Sequence, residues 1–302
     1  MNKILLAVVG PTGIGKTALG IKLARKFNTE ILSADSRQFF KEMNIGTAVP
    51  SPEELNAATH HFIQHISISD EYNVGLFEKD ALAKLDELFR NNTYAVMVGG
   101  SGLYVDAVVN GLDSFPDVDE NIRTLLKSRL QTEGIESLQN ELKMLDPYQF
   151  DNMDINNPQR LIRALEISIG TGKPYSSFTA KKRVKRPFQT LKIGLTAERK
   201  IIYDRINKRV DLMIANGLVE EARALYSKKH LNALQTVGYR ELFTYFDGDC
   251  DLETAIAEIK KNTRRFAKRQ LTWYRRDDSI LWFEYTTPVE EITRAIEKKV
   301  SL

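Results

Sequence analysis

One cysteine in 302 residues, Cys250, leaves no internal disulfide framework and no zinc site built on paired cysteines. Long apolar runs are also missing. The longest purely aliphatic stretch, Ile4–Val9, is six residues, too short for a bilayer span or the core of a signal peptide. Charge of one sign is scarce overall, with 43 Lys and Arg against 40 Asp and Glu for a net +3. Hydrophobic residues at 42% and charged residues at 27% exclude wholesale disorder. At roughly 100–200 residues per domain, the length allows one large or two modest domains. These features predict a soluble, cytoplasmic protein.

The small net charge conceals a segregated one. Lys181–Arg186 holds five basic residues in six, and Lys260–Arg276 holds eight Lys or Arg and no acid. Acidic residues concentrate elsewhere, in Asp113–Glu120 and Asp247–Glu253. Such blocks suit a polyanionic partner, although a solvated helix face has the same composition.

Periodicity predicts a fold in the α/β class. Ile4–Val9 and Tyr94–Val98 are continuous apolar runs ended by glycine, as expected of buried parallel strands, and Glu30–Ala34 is a shorter candidate. Helical spacing runs through Ala18–Phe27 and through Phe77, Ala81, Leu85 and Leu88. Alternating strands and helices imply a parallel sheet with helices on its faces. Between about Ser114 and Arg186 strand character disappears. Asp119–Leu130, Ile135–Leu145 and Pro158–Ile169 all read as helices, the last opened by Asn157-Pro158. Strand character returns at Gln189–Leu195, so residues 1–113 and 187–302 are expected to form the core and 114–186 an all-helical insertion. A long helix follows from Asp251 to about Arg276. On it Lys261, Arg265, Lys268 and Arg275 form a basic stripe, and Ile256, Ile259, Phe266 and Trp273 an apolar stripe expected to face the core. Ser279–Tyr285 is a late strand candidate.

Gly10, Pro11, Thr12, Gly13, Ile14, Gly15, Lys16 and Thr17 match G-x-x-x-x-G-K-[ST] between a strand and a helix. In such a loop successive N–H groups wrap phosphate oxygens at a helix N-terminus, Lys16 adds a cation, and the Thr17 hydroxyl can hold Mg²⁺. The strand Tyr94–Val98 does not end in the acid that usually anchors the metal in nucleotide-hydrolysing relatives of this loop; Gly99-Gly100-Ser101-Gly102 follows instead. The nearest acid of interest is Asp35, just past the second strand. Strand C-termini share one sheet edge, so Asp35, Ser101 and the phosphate loop should converge. A general base acting on an incoming acceptor fits Asp35; a helix cap or turn residue is the structural alternative.

In order along the chain, GPTGIGKT (10–17), ADSRQ (34–38), IGTA (45–48), HHF (60–62), GGSGLY (99–104), NPQRLIRALE (157–166), TGKP (171–174), VGYRE (237–241) and KRQLTWYRR (268–276) resemble the tRNA dimethylallyltransferases, also called tRNA isopentenyltransferases. The resemblance spans about nine-tenths of the chain. It implies a P-loop NTPase-like core and transfer of a dimethylallyl group from dimethylallyl diphosphate to N6 of the adenosine 3′-adjacent to the anticodon. It implies that the loop 10–17 binds the diphosphate with Mg²⁺, that Lys16 and Ser101 assist the chemistry, and that Asp35 handles the N6 proton with Ser36, Arg37 and Gln38 beside the adenine. Further contacts to the tRNA anticodon stem-loop fall on Arg123 and on Gln159, Arg160, Leu161, Ile162 and Arg163. Others fall on Gln235, Gly238, Tyr239 and Arg240, and on Arg264, Arg265, Lys268, Arg269 and Gln270. Ser101 stands where the family usually has threonine. The end at Leu302 and the single cysteine resemble the shorter bacterial type rather than members with a zinc finger, and a monomer is expected.

Three other classes compete: a small-molecule kinase, an adenylate isopentenyltransferase acting on free nucleotides, and a nucleic-acid-binding ATPase. The basic blocks argue against the first two, and the missing strand-end acid argues against the third. His60, His61 and His65 have partial metal-ligand spacing but lack a Glu or a third ligand. Asp247, Asp249, Asp251 and Glu258 imitate a calcium loop without its glycine. Neither is expected to bind metal.

Overall fold

A computed structural model describes residues 3–179 and 184–300. Six strands, β1 (Ile4–Val9), β2 (Ile31–Ser33), β3 (His60–His61), β4 (Tyr94–Val98), β5 (Gln189–Thr196) and β6 (Leu281–Glu284), form one sheet in the order β3-β2-β4-β1-β5-β6. Every pairing is parallel. Alternation along β1 sends Ile4, Leu6 and Val8 into a core shared with the helix Lys16–Lys26. Leu5, Ala7 and Val9 enter a second core on the opposite face with the helix Val74–Leu88. All six side chains are at most 1% exposed, which is why β1 is an unbroken apolar run.

The chain divides into two compact units, Met1–Asn110 with Lys185–Leu302, and Gly111–Val184. The first boundary falls at Gly111, whose φ of +84° ends the helix Gly102–Asn110. On the return, Arg186 belongs to the sheet-containing unit: its guanidinium donates to the Ala107 and Val108 carbonyls and pairs with Glu78. The expected boundaries, 114 and 187, therefore each fall two or three residues late. Arg186 is also a structural strut rather than an open member of the basic run Lys181–Arg186, and Lys181, Lys182 and Arg183 lie outside the described residues.

The Gly111–Val184 unit is helical, with helices Glu120–Glu133, Ile135–Leu145, Pro147–Asn152 and Pro158–Thr171 around a core of Leu126, Leu138, Leu142, Leu161 and Leu165. Asn157 caps the last of these, its side chain accepting from the Gln159 and Arg160 N–H groups. In the other unit, the helices Arg199–Ala215, Leu218–Leu225, Tyr239–Phe246 and Leu252–Tyr274 share a further core that includes Val210, Leu218, Tyr239, Leu242 and Ile259. Asp251 caps the 23-residue helix Leu252–Tyr274 by accepting from Thr254 N–H at 2.7 Å. The apolar stripe expected on that helix needs one correction. Phe266 is 38% exposed, and Ala255, Ile259, Ala267, Gln270 and Tyr274 take the buried positions.

Candidate active site

Parallel pairing brings the C-terminal ends of β2, β4 and β1 to one edge, with Ser33 opposite Val98 and Val8 also opposite Val98. The segments that follow these strands carry Asp35, Ser101 and the phosphate loop. Gly99 and Gly100 permit the approach. A Cβ on Gly99 would lie 2.3 Å from the Ala34 carbonyl oxygen, and one on Gly100 2.2 Å from Gln270 Nε2.

In the phosphate loop Gly13 and Gly15 have φ of +78° and +112°, which L side chains rarely adopt. Gly10 cannot carry a Cβ because the Leu195 carbonyl oxygen would lie at 2.6 Å. Ile14 is buried at 1% exposure and anchors the loop to the core. Lys16 Nζ donates to the Pro11 carbonyl at 2.9 Å. Burial brings its pKa down to about 8, Asp35 opposing the shift and Arg209 adding to it.

Two cavities flank this edge. The first, of about 620 Å³, is lined by the phosphate loop and Thr17, by Gln38, Thr47 and Ala48, and by Arg205, Lys208 and Arg209. The second, of about 480 Å³, is lined by Ser36, Arg37, Ser101, Tyr104, Phe266, Arg269 and Trp273 among others. Thr12, Asp35, Thr47 and Arg209 line both. Asp35 Oδ1 accepts from Arg37 N–H at 3.1 Å, an Asx turn, so the structural alternative holds for one oxygen. Oδ2 accepts no hydrogen bond among the described residues, while Lys16, Arg37 and Arg209 feel the charge of the carboxylate. The Ser101 hydroxyl accepts from Ser36 N–H at 3.1 Å and lies 3.2 Å from the Ser36 hydroxyl.

Arg205, Lys208 and Arg209 were not among the sequence candidates. They sit on the Arg199–Ala215 helix along the flank of its buried face, Arg209 sharing a cavity wall with Ile206 and Val210. The i, i+4 pair Arg205/Arg209 on a helix following a strand was the available signal. Arg205 Nε donates to the Gly13 carbonyl at 2.8 Å, and Arg209 Nη1 to the Thr12 hydroxyl at 3.3 Å. With Lys16 they give the first cavity four cations against Asp35 and Glu54.

Several residues expected at the tRNA surface are occupied elsewhere. Tyr239 is fully buried, its hydroxyl donating to Glu221 Oε1 at 2.6 Å. Leu161 and Ile162 are core residues of the helical unit at 0% and 7% exposure. Gln270, 6% exposed, has both ends of its amide engaged, at Thr12 N–H and at the Gly100 carbonyl. Gln38 donates to the Thr47 and Ala48 carbonyls and accepts from Ser33. The Arg37 guanidinium donates to the Asn232 and Ala233 carbonyls, and burial lowers its pKa. In the helical unit Arg123 and Arg163 both pair with buried Glu166, at 2.8 and 3.0 Å, while Gln159 and Arg160 are exposed. Gln235, Gly238, Arg240 and Arg269 line the second cavity. Arg265 and Lys268 are exposed outside both cavities, and Arg264 lines a separate shallow one, donating to Asn207. On the basic stripe, Lys261 pairs with Glu258.

A phosphate loop at the edge of a parallel sheet, with a carboxylate shared between a cation-lined cavity and an aromatic-lined one, defines a P-loop-type group-transfer enzyme. The family model described as IPP transferase matches residues 38–277, and the chain belongs to that family. A tRNA dimethylallyltransferase of Christiangramia forsetii is 63% identical with both chains covered in full, and one of Flavobacterium johnsoniae 56% identical over 97% of each. The crystal structure of a tRNA isopentenylpyrophosphate transferase from Bacillus halodurans superposes with a TM-score of 0.74 at 37% identity, covering 100% of this chain and 97% of that one. A eukaryotic dimethylallyltransferase described as acting on tRNA superposes at 0.82 with 26% identity, covering 99% and 78%.

Proposed function

We propose that the protein transfers a dimethylallyl group from dimethylallyl diphosphate to N6 of the adenosine 3′-adjacent to the anticodon in tRNA, as a monomer in the cytoplasm. The observation that carries this reading is the meeting of the two cavities at Asp35, Thr12, Thr47 and Arg209. One side suits a diphosphate, and the other suits a purine turned out of an RNA loop.

The diphosphate enters the first cavity, where loop N–H groups, Lys16, Arg205, Lys208 and Arg209 stabilise the charge that grows on it as the allylic C1–O bond breaks. That stabilisation is the largest contribution to rate. Thr17 lines this cavity, and no described residue engages its hydroxyl. No cluster of three or more His, Cys, Asp or Glu able to hold a metal occurs among the described residues. Mg²⁺ commonly takes few protein ligands and completes its shell with substrate phosphates and water. Thr17 therefore fits as its protein ligand, and the ion supplies charge neutralisation on the leaving diphosphate.

On the other side Asp35 Oδ2 takes the N6 proton as the nitrogen attacks C1, while Ser101 and the Ser36–Arg37 backbone hold that carboxylate in place. Extruding the base costs a few kcal/mol, which phosphate contacts from Arg240, Arg269, Lys268 and Arg265 offset. A free mononucleotide needs no such surface. Incubation with labelled dimethylallyl diphosphate and either unmodified tRNA or AMP tests the reading. Label appears in tRNA; label in AMP alone overturns it. No helix among the described residues is long and apolar enough to cross a membrane.

A further inference from the structure

Gln270 stands where the phosphate loop, the Gly99–Gly102 turn and the Leu252–Tyr274 helix meet. Oε1 accepts from Thr12 N–H at 2.8 Å and Nε2 donates to the Gly100 carbonyl at 3.0 Å. One amide thus ties the loop after β1 to the turn after β4, and space for it exists only because residue 100 has no Cβ. Thr12 lines both cavities, and Ser101, next to Gly100, holds Ser36 beside Asp35. Of the neighbouring helix residues, Lys268 is exposed on the far side, while exposed Arg269 lines the second cavity together with Gln270. A shift of this helix therefore moves Thr12 and Gly100 together.

We propose that Gln270 is a positioning residue that couples occupancy of the diphosphate cavity to RNA held by Lys268 and Arg269 on the same helix. This rests on the function proposed above. RNA phosphates drawn to Lys268 and Arg269 fix the helix. The fixed helix holds Thr12 N–H, and with it the turn of the phosphate loop, in the shape that receives a diphosphate. Linkage makes the effect reciprocal, so diphosphate tightens RNA binding by the same factor. Without the tie, the two cavities fill independently.

The test is binding of inorganic diphosphate with Mg²⁺, measured with and without a saturating unmodified anticodon stem-loop. The proteins are the wild type, Gln270→Met, which keeps the volume and removes the hydrogen bonds, and Gly100→Ala, which pushes against the amide from the far side. The wild type is expected to bind diphosphate about fivefold tighter or more when RNA is present, and each variant's ratio to fall to near one while either ligand alone still binds. A merely structural role would weaken both ligands and leave the ratio unchanged. A ratio of one in the wild type, or a wild-type ratio in Gln270→Met, overturns the coupling. If Gln270→Met fails to fold, the ratio in Gly100→Ala decides the role of the tie, and a wild-type ratio of one overturns the coupling by itself. Wild type that prenylates RNA yet shows no ratio overturns the coupling and leaves the proposed function standing.

Discussion

The Ser101 hydroxyl accepts a hydrogen bond from Ser36 N–H at 3.1 Å, joining the turn after β4 to the residue that follows Asp35. The contact fixes the start of the segment whose Arg37 N–H orients the Asp35 carboxylate. Ser101→Ala is expected to slow single-turnover prenyl transfer about fivefold, in line with a net hydrogen-bond value of about 1 kcal/mol. Ser101→Thr keeps the oxygen and should retain near-normal rates. Equal rates in all three proteins would show that the contact does not position Asp35.

In the proposed reaction Asp35 takes the N6 proton. Asp35→Asn preserves the acceptor for Arg37 N–H and removes the basic oxygen, so a loss of about 10²–10⁴-fold is expected. Affinity for each substrate should stay within a few-fold. Rapid-quench measurement at saturating substrates separates the two, and an unimpaired chemical step would remove Asp35 from the mechanism.

Lys16 gives the site a pH limb. Its pKa in the free protein lies near 8 because burial disfavours the ammonium. A bound diphosphate favours the charged form and raises that pKa, so binding takes up a proton once pH exceeds about 8. Diphosphate affinity should be level below that value and fall toward tenfold per unit above it. Calorimetric titration from pH 7 to 9.5 checks the slope, and a flat profile would place Lys16 away from the anion.

RNA affinity should fall steeply with salt, in proportion to the phosphates neutralised. Lys268→Ala and Arg269→Ala should each reduce the slope of log K against log salt by about one, without changing diphosphate affinity in the absence of RNA. Slopes unchanged from the wild type would leave these cations with the solvent.

Glu221 accepts from the Asn44, Ile45 and Gly46 N–H groups at 2.8–3.1 Å and from the Tyr239 hydroxyl. It holds the loop that presents Thr47 and Ala48 to the site, with Ala48 at φ +49°. Glu221→Ala leaves several of these donors without a partner and should cost about 2–4 kcal/mol of stability, read by denaturant titration. Loss under 1 kcal/mol would mean that water replaces the carboxylate.

Much of the sheet was legible because burial on both faces writes itself as a local apolar run. Ile4–Val9 and Tyr94–Val98 have the same bounds in sequence and structure, and Phe77, Ala81, Leu85 and Leu88 are the buried face of their helix. The two-residue strand His60–His61 and the short helices Pro52–Ala57, Gly102–Asn110 and Pro147–Asn152 were not, since so few residues carry no readable period. Asp35, Ser101 and the phosphate loop could be brought together on paper because parallel strands end at a common edge. Phe266, Tyr239 and Gln270 could not be placed, since distant partners decide their burial: Glu221 takes the Tyr239 hydroxyl, the Gly100 carbonyl takes the Gln270 amide, and Phe266 is left exposed at the second cavity.

What the amino-acid order determined alone is the set of things that depend on near neighbours: the glycine-rich loop, the caps at Asn157 and Asp251, and the run that became β1. Tertiary structure alone decided which charged and amide side chains face a ligand and which serve as struts. Arg209 was drawn into the site, and Gln270, Arg186 and Tyr239 were drawn away from the surface. The physical reason is that a polar group's fate turns on the partners that packing brings to it. Those partners lie as far as 258 positions away along the chain, as between Thr12 and Gln270.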